Sequence, residues 1–178
     1  MRKVKKFKLT SEFIVDISGV KLFRIKALIE FGNVKAGDLG GYIEKEENLS
    51  HMGDAWVSGD TQVFGDARVF GNAWVSGNAR VFGDAQVFGN ARVSGDAQVF
   101  GDARVSGDKD YAYAHGFGSC NRTTTFFRLK DGDVGVRCGC FYGTLAQFRD
   151  KVCETHGETK KAQEYLMLAD LMEIRFKN

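Results

Sequence analysis

A chain of 178 residues has room for one domain, or for one domain with an appendage. Its 25 lysines and arginines nearly cancel 23 aspartates and glutamates, leaving +2, which speaks against a nucleic-acid binder held by phosphate contacts. No segment approaches the ~18 apolar residues of a membrane span, and the basic start MRKVKKFKLTSEF leads into no apolar stretch of signal-peptide length. A cytoplasmic protein with no membrane or nucleic-acid partner is expected. Four cysteines, Cys120, Cys138, Cys140 and Cys153, then read as reduced thiols and not as a disulfide frame.

In chain order, VKKFKLT, EFIVDI and KLFRIKAL alternate as strands do, with a turn near Ser18 and Gly19. Next comes VKAGDLGGYIEKEENLSHMG, in which Ile43 and Leu49 fall in phase with alanines of the repeat that follows. We therefore assign residues 1–40 to an N-terminal β cap and begin an irregular first coil near Gly41. A cap is required because an open coil presents unpaired strand edges.

Residues 53–106 divide without a gap into nine hexads: GDAWVS, GDTQVF, GDARVF, GNAWVS, GNARVF, GDAQVF, GNARVS, GDAQVF and GDARVS. In each, the small residue and the valine stand two apart, the strand period that puts both on one face. Glycine followed by Asp or Asn is turn chemistry. A corner every six residues fits neither a helix nor a flat sheet. It fits a parallel β-solenoid, and the unbroken valine register counts against low-complexity disorder.

This pattern resembles the hexapeptide repeat of left-handed β-helix proteins, the trimeric LpxA-like superfamily. In that fold an aliphatic residue points inward and a small residue two positions earlier fills the corner. Val57, Val63, Val69, Val75, Val81, Val87, Val93, Val99 and Val105 match the first role. Ala55, Thr61, Ala67, Ala73, Ala79, Ala85, Ala91, Ala97 and Ala103 match the second. The resemblance implies a mainly β chain: a left-handed parallel β-helix over residues 41–107, of about three regular coils plus the irregular first one. It implies three hexads per coil, so that residues eighteen apart stack.

Outward positions then sort onto three walls. Wall one carries Trp56, Trp74 and Arg92; wall two carries Gln62, Arg80 and Gln98; wall three carries Arg68, Gln86 and Arg104. Beside walls two and three run two ladders, Phe64, Phe82 and Phe100, and Phe70 and Phe88. Exposed apolar stripes mark interfaces. A homo-oligomer is expected there, a trimer by the resemblance, with docking of the chain's own tail as the alternative.

After Gly107 the register fails. DKDYAYAHGFGSCN reads as a connector, RTTTFFRLK and VGVRCGCF as a hairpin about the turn DGD, and residues 108–178 as a connector plus a small α+β module. Thr144 with Gln147 is a capping-box signal, and Gly157 suits a C-terminal stop. A second amphipathic helix puts Ala162, Tyr165, Leu166, Leu168, Ala169 and Met172 on one side. The segments GDLGGYIEKEENLS, TTTFFR, CGCFYGTLAQF and THG together look like those of small phage and prophage proteins without an assigned activity.

Chemistry is sparse. The superfamily includes acyltransferases that use a histidine base, but His51, His115 and His156 all lie outside the perfect hexads, and no pantetheine or nucleotide signature accompanies them. The cysteines lack the paired spacing of zinc modules, so neither a metal nor a cofactor is expected. What remains is a polar run, Asn121, Arg122, Thr123, Thr124 and Thr125, suited to an anionic group. Tyr111, Tyr113, Phe117 and Phe141 are placed with it to stack on a flat ligand, and His115 is counted among the same ligand-binding residues. The expectation is a non-enzymatic oligomeric protein that sequesters a small anionic or nucleotide-like ligand or blocks a host defence protein. Acyl transfer and a purely structural or inhibitory role are its rivals.

Overall fold

A computed structural model describes residues 4–177; residues 1–3 of the expected cap and residue 178 of the expected tail lie outside it. Nine two-residue strands, β4 (Trp56–Val57), β5 (Gln62–Val63), β6 (Arg68–Val69), β7 (Trp74–Val75), β8 (Arg80–Val81), β9 (Gln86–Val87), β10 (Arg92–Val93), β11 (Gln98–Val99) and β12 (Arg104–Val105), wind into a β-solenoid. Parallel pairing joins Trp56 to Trp74 to Arg92, Gln62 to Arg80 to Gln98, and Arg68 to Gln86 to Arg104. The stacking interval is therefore eighteen on all three walls. Every valine of the nine hexads, and every small residue two before it, is fully buried. The corner glycines from Gly53 to Gly101 have φ between 62° and 71°, the left-handed region that only glycine enters without strain.

The first coil departs from the expected phase. Strand β3 (Leu39–Ile43) pairs Ile43 with Val63, and Leu49 bridges Val69, an offset of twenty residues in each case. Ile43 and Leu49 thus take valine positions and not alanine positions. The two extra residues lie between Leu49 and Val57, which stand eight apart where the hexads have six, in the turns around His51 to Asp54. His51 stands outside the column and stacks on Phe7 at 4.3 Å.

Strands β1 (Phe7–Val15) and β2 (Lys21–Ala27) form an antiparallel hairpin that extends wall two, giving the sheet order β1-β2-β3-β5-β8-β11. Its apolar residues Ile14, Val20 and Leu22 pack over Phe64 and Phe82. Asp16, held below the usual carboxylate range mainly by hydrogen bonds from Ser18 and the Val20 amide, pairs with Arg80 at 3.4 Å.

Direction along the solenoid leaves different polar groups bare at each end. Outside the ladder bonds of the two-residue strands themselves, each coil's N–H groups donate to carbonyls of the following coil, as in Trp56 N–H to Ala73 O at 3.0 Å and Arg80 N–H to Ala97 O at 2.9 Å. These carbonyls therefore face the N-terminal end and these amides the C-terminal end, and buried backbone groups of either kind need partners. At the N-terminal end, Lys6 Nζ donates to the carbonyls of Gly53 (3.2 Å) and Ala55 (2.6 Å). Asn48 Nδ2 donates to those of Gly65 (3.1 Å) and Ala67 (2.9 Å), while the amides of Tyr42 and Glu44 serve Thr61 and Val63. At the other end, Thr125 Oγ1 accepts from Gln98 N–H at 2.9 Å, and Asp108 and Asp110 accept from Arg92 N–H and Ser106 N–H.

The segment expected to be a connector is a strand. β13 (Tyr111–Phe117), β14 (Arg122–Arg128), β15 (Val134–Cys138) and β16 (Phe141–Thr144) form one antiparallel four-stranded sheet in sequence order. Its alternating aromatic and alanine residues make β13 a lining strand: Tyr111 joins the solenoid core while Ala112 faces the helices. Helix α1 (Leu145–His156) starts at Thr144 with the expected capping box to Gln147, and α2 (Lys160–Phe176) follows. Solenoid, sheet and helix pair are thus three successive layers. No helix among the described residues is long and apolar enough to cross a membrane.

Candidate functional site

Alternation along β14 decides where the expected ligand residues go. Register places Tyr111, Tyr113 and His115 opposite Phe127, Thr125 and Thr123, so these share the sheet face turned to the solenoid. Arg122, Thr124 and Phe126 take the other face, with Cys138 opposite Thr124 and Phe141 opposite Cys138. A single pocket joining all of them does not form, because a strand sends neighbours to opposite sides. Thr124 and Thr125 are buried; Thr125 caps the solenoid, and Thr124 Oγ1 donates to Cys138 Sγ at 3.2 Å. Tyr111 is buried, and its carbonyl accepts from Arg175. The Tyr113 hydroxyl lies against Gly95, and His115 Nδ1 is 2.8 Å from Thr123 Oγ1. Asn121 sits with Cys120 in a tight turn at positive φ.

Two of the expected residues do meet. Arg122 and Phe141 line a cavity of about 170 Å³ between the helix-facing side of the sheet, α1 and α2. Lys151 and His156 from α1 complete its charged and polar rim, Ser119, Cys138 and Cys140 add hydroxyl and thiol groups, and Phe148, Val152 and Tyr165 form the apolar wall. The guanidinium of Arg122 lies directly on Gly139, where any side chain would collide with it, and Gly139 has φ 57°. Tyr165, whose hydroxyl accepts from Ser119 N–H at 2.9 Å, has its phenol pushed up by burial. No carboxylate lines the cavity: Glu154 pairs with Lys151 outside it at 2.9 Å, and Glu164 accepts from Gly118 N–H. Sequence reasoning missed Lys151, His156 and Tyr165 because helix periodicity reports which residues are buried, not which cavity their ends reach. The chemistry on offer is recognition of a compact anion by a guanidinium, an ammonium and hydroxyl donors. At this size the cavity admits a phosphate or carboxylate group, being smaller than the roughly 300 Å³ at which whole-ligand clefts begin.

His115 and His156 lie on opposite sides of the sheet, so no second histidine supports either. Among the described residues no three or more His, Cys, Asp or Glu side chains group as a metal site would. All four cysteines are free thiols.

The expected assembly surface is half used within the chain. Phe64 and Phe82 lie under the β1–β2 hairpin, Phe100 packs edge-on against Tyr142 at 4.8 Å, and Arg137 stacks on Phe82 and Phe100. That ladder holds the chain's own ends together: the tail reaches Phe82 and Phe100, while the N-terminal hairpin covers Phe64 and Phe82. Phe70 and Phe88 stack face to face at 5.1 Å and keep partial exposure. Beside Phe70 opens a cleft of about 1000 Å³, bounded by wall three, the first coil and the residues Val4 and Ile29 that flank the N-terminal hairpin.

Compared with known proteins, the chain matches a family model described as the YdcK beta solenoid repeat in four overlapping stretches, residues 61–77, 73–87, 85–99 and 97–108. The match covers the hexads from Thr61 onward and supports a β-solenoid; it does not extend to the first hexad, the N-terminal strands or the tail. No curated protein matches the chain.

Proposed function

We propose that this protein is a non-enzymatic, self-associating binding protein whose ligand carries a compact anionic group, a phosphate or carboxylate, held in the sheet–helix cavity. The observation that carries the reading is the convergence of Arg122, Lys151 and His156 on a cavity whose lining contains no carboxylate. A nucleotide-like ligand would place only its terminal group inside and leave the rest in solvent past Phe141. The left-handed hexapeptide-repeat kinship, the phage setting and interference with a host defence protein belong to the same proposal, resting on the sequence resemblance.

Thermal unfolding with inorganic phosphate, nucleoside phosphates and coenzyme A tests the ligand. A compound present at 100 times its Kd stabilises by about 2.7 kcal/mol, or roughly 5–10 °C in a chain of this size. Arg122→Ala should abolish that rise while leaving the unliganded transition in place, since Arg122 is exposed. No rise with any of these compounds, or an undiminished rise in the variant, would refute the anion site.

Self-association rests on wall three, the wall bearing the remaining phenylalanine ladder. Sedimentation of Phe88→Ser checks it: weakened association is expected if the two stacked rings themselves meet a second copy.

A further inference from the structure

Two of the four free thiols share one turn. Cys138 ends β15 and pairs with Phe141 of β16, so Gly139 and Cys140 form a two-residue hairpin turn between the strands. Both cysteines line the Arg122 cavity, while Cys120 and Cys153 are not among its lining residues. Residues two apart keep their Cα atoms within about 7 Å even in an extended chain. A tight turn shortens that span, into the range of roughly 4.4–6.8 Å that a disulfide bridges. Chain geometry alone thus holds this pair within reach of each other, and the glycine between them leaves the backbone free to adjust.

The two thiols differ in access, as an attacking and a resolving cysteine do. Cys140 is exposed. Cys138 is half-buried, with its Sγ accepting from Thr124 Oγ1 at 3.2 Å and lying 3.7 Å from the Tyr165 hydroxyl. The same turn supports the anion site. The Arg122 guanidinium rests on Gly139, and Tyr165 belongs to the cavity wall. Joining the two sulfurs draws Cys138 Sγ away from Thr124 and Tyr165 and turns the Gly139 backbone against Arg122.

We propose that Cys138 and Cys140 form a reversible disulfide that switches the cavity, open to an anion when reduced and closed to it when oxidised. The oxidant is a small-molecule disulfide such as oxidised glutathione. Cys140, as thiolate, attacks one of its sulfurs and expels the first thiolate, leaving a mixed disulfide on Cys140. Deprotonated Cys138 then attacks Cys140 Sγ and expels the second. One S–S bond forms in the protein and one breaks in the reagent. The two cysteines are oxidised, the reagent is reduced to two thiols, and the two cysteine protons are balanced by those the released thiolates take up. The consequence for binding rests on the anion reading above; the disulfide itself does not.

The test treats the full chain with oxidised glutathione, maps its disulfides by peptide mass spectrometry, and measures the phosphate-dependent rise in Tm before and after. An intrachain Cys138–Cys140 bond is expected, with loss of the phosphate-dependent rise and its return on adding dithiothreitol. In Cys140→Ser, whatever rise phosphate produces should be the same before and after the oxidant. Absence of a Cys138–Cys140 bond overturns the proposal and leaves the anion reading standing. A mapped bond with an undiminished phosphate response, or a response in Cys140→Ser that the oxidant still removes, overturns the switch. A reduced wild type that phosphate does not stabilise overturns the anion reading and the switch with it.

Discussion

Replacing Phe127 with alanine should destabilise the protein by about 3–5 kcal/mol, the range for emptying a fully buried aromatic site. In a chain of this length that is roughly 6–20 °C in Tm. Phe127 is fully buried and belongs to the solenoid core although it comes from the tail sheet. Its ring stacks near Tyr142 at 6.4 Å and packs so closely on Gly135 that a methyl group there would collide with it. It plugs the C-terminal mouth of the solenoid, next to Thr125, which satisfies the Gln98 amide. Urea unfolding followed by tryptophan fluorescence reports on the solenoid, since Trp56 and Trp74 both belong to it. Far-ultraviolet circular dichroism adds the helices of the tail. The variant should lower both transitions and separate them, because the plug is what makes coil and tail one cooperative unit. A shift under about 1 kcal/mol would show that the mouth closes without it.

Lys6→Met is the second substitution with a large expected effect. Lys6 is almost fully buried at the N-terminal mouth, where its ammonium donates to two carbonyls and sits 4.6 Å above the Phe31 ring. Burial pushes its pKa down to about 8, with Asp54 partly opposing the shift. Between pH 8 and the ordinary lysine value of about 10.4, the unfolded chain holds a proton there that the folded chain has released. Stability attributable to Lys6 therefore rises with pH across that window and is flat below it. Methionine keeps the bulk and removes both the charge and the donor. Each orphaned carbonyl costs about 1–3 kcal/mol, and relief of the buried charge offsets part, so a net loss of about 2 kcal/mol at pH 7 is expected. The gap between wild type and variant should widen from about pH 8 to about pH 10.5. Denaturant titrations across that range check it, and a constant gap would mean that the ammonium is not the group being buried.

Anion binding has a different dependence on these two substitutions. Neither Phe127 nor Lys6 lines the Arg122 cavity, so both variants should retain ligand-induced stabilisation for as long as they remain folded. Arg122→Ala should do the reverse, sparing the fold and losing the ligand.

Much of the fold is legible in the hexads alone. Valine and a small residue two apart, repeated every six residues with glycine at the corner, leave the backbone little choice. A strand of two residues must be followed by a turn that glycine alone enters freely, and identical rungs stack best on identical rungs. The α1 N-cap at Thr144 is legible for a similar reason, because a capping box is a local bond between residues three apart. Legibility ends where local pattern stops being informative. The two extra residues of the first coil are absorbed between Leu49 and Val57, and only pairing with Val63 and Val69 reveals that Ile43 and Leu49 occupy valine positions. Likewise YAYAHGF carries glycine and aromatics like a loop, yet pairs along β14 as a full strand.

The candidate site shows the same division. Composition identifies Arg122 as a cation in search of an anion, and the phenylalanine ladders as apolar surface in need of a cover. Which residues join Arg122 is decided by the pleat of β14, which sends Thr123 and Thr125 to the solenoid and Arg122 and Thr124 to the helices. Which ladder is covered is decided by the β1–β2 hairpin and by Arg137, both far from it in sequence. Periodicity along a chain determines what each residue faces, core or solvent. Only the packing of distant segments determines which other residue it faces, and a binding site is made of that second kind of information.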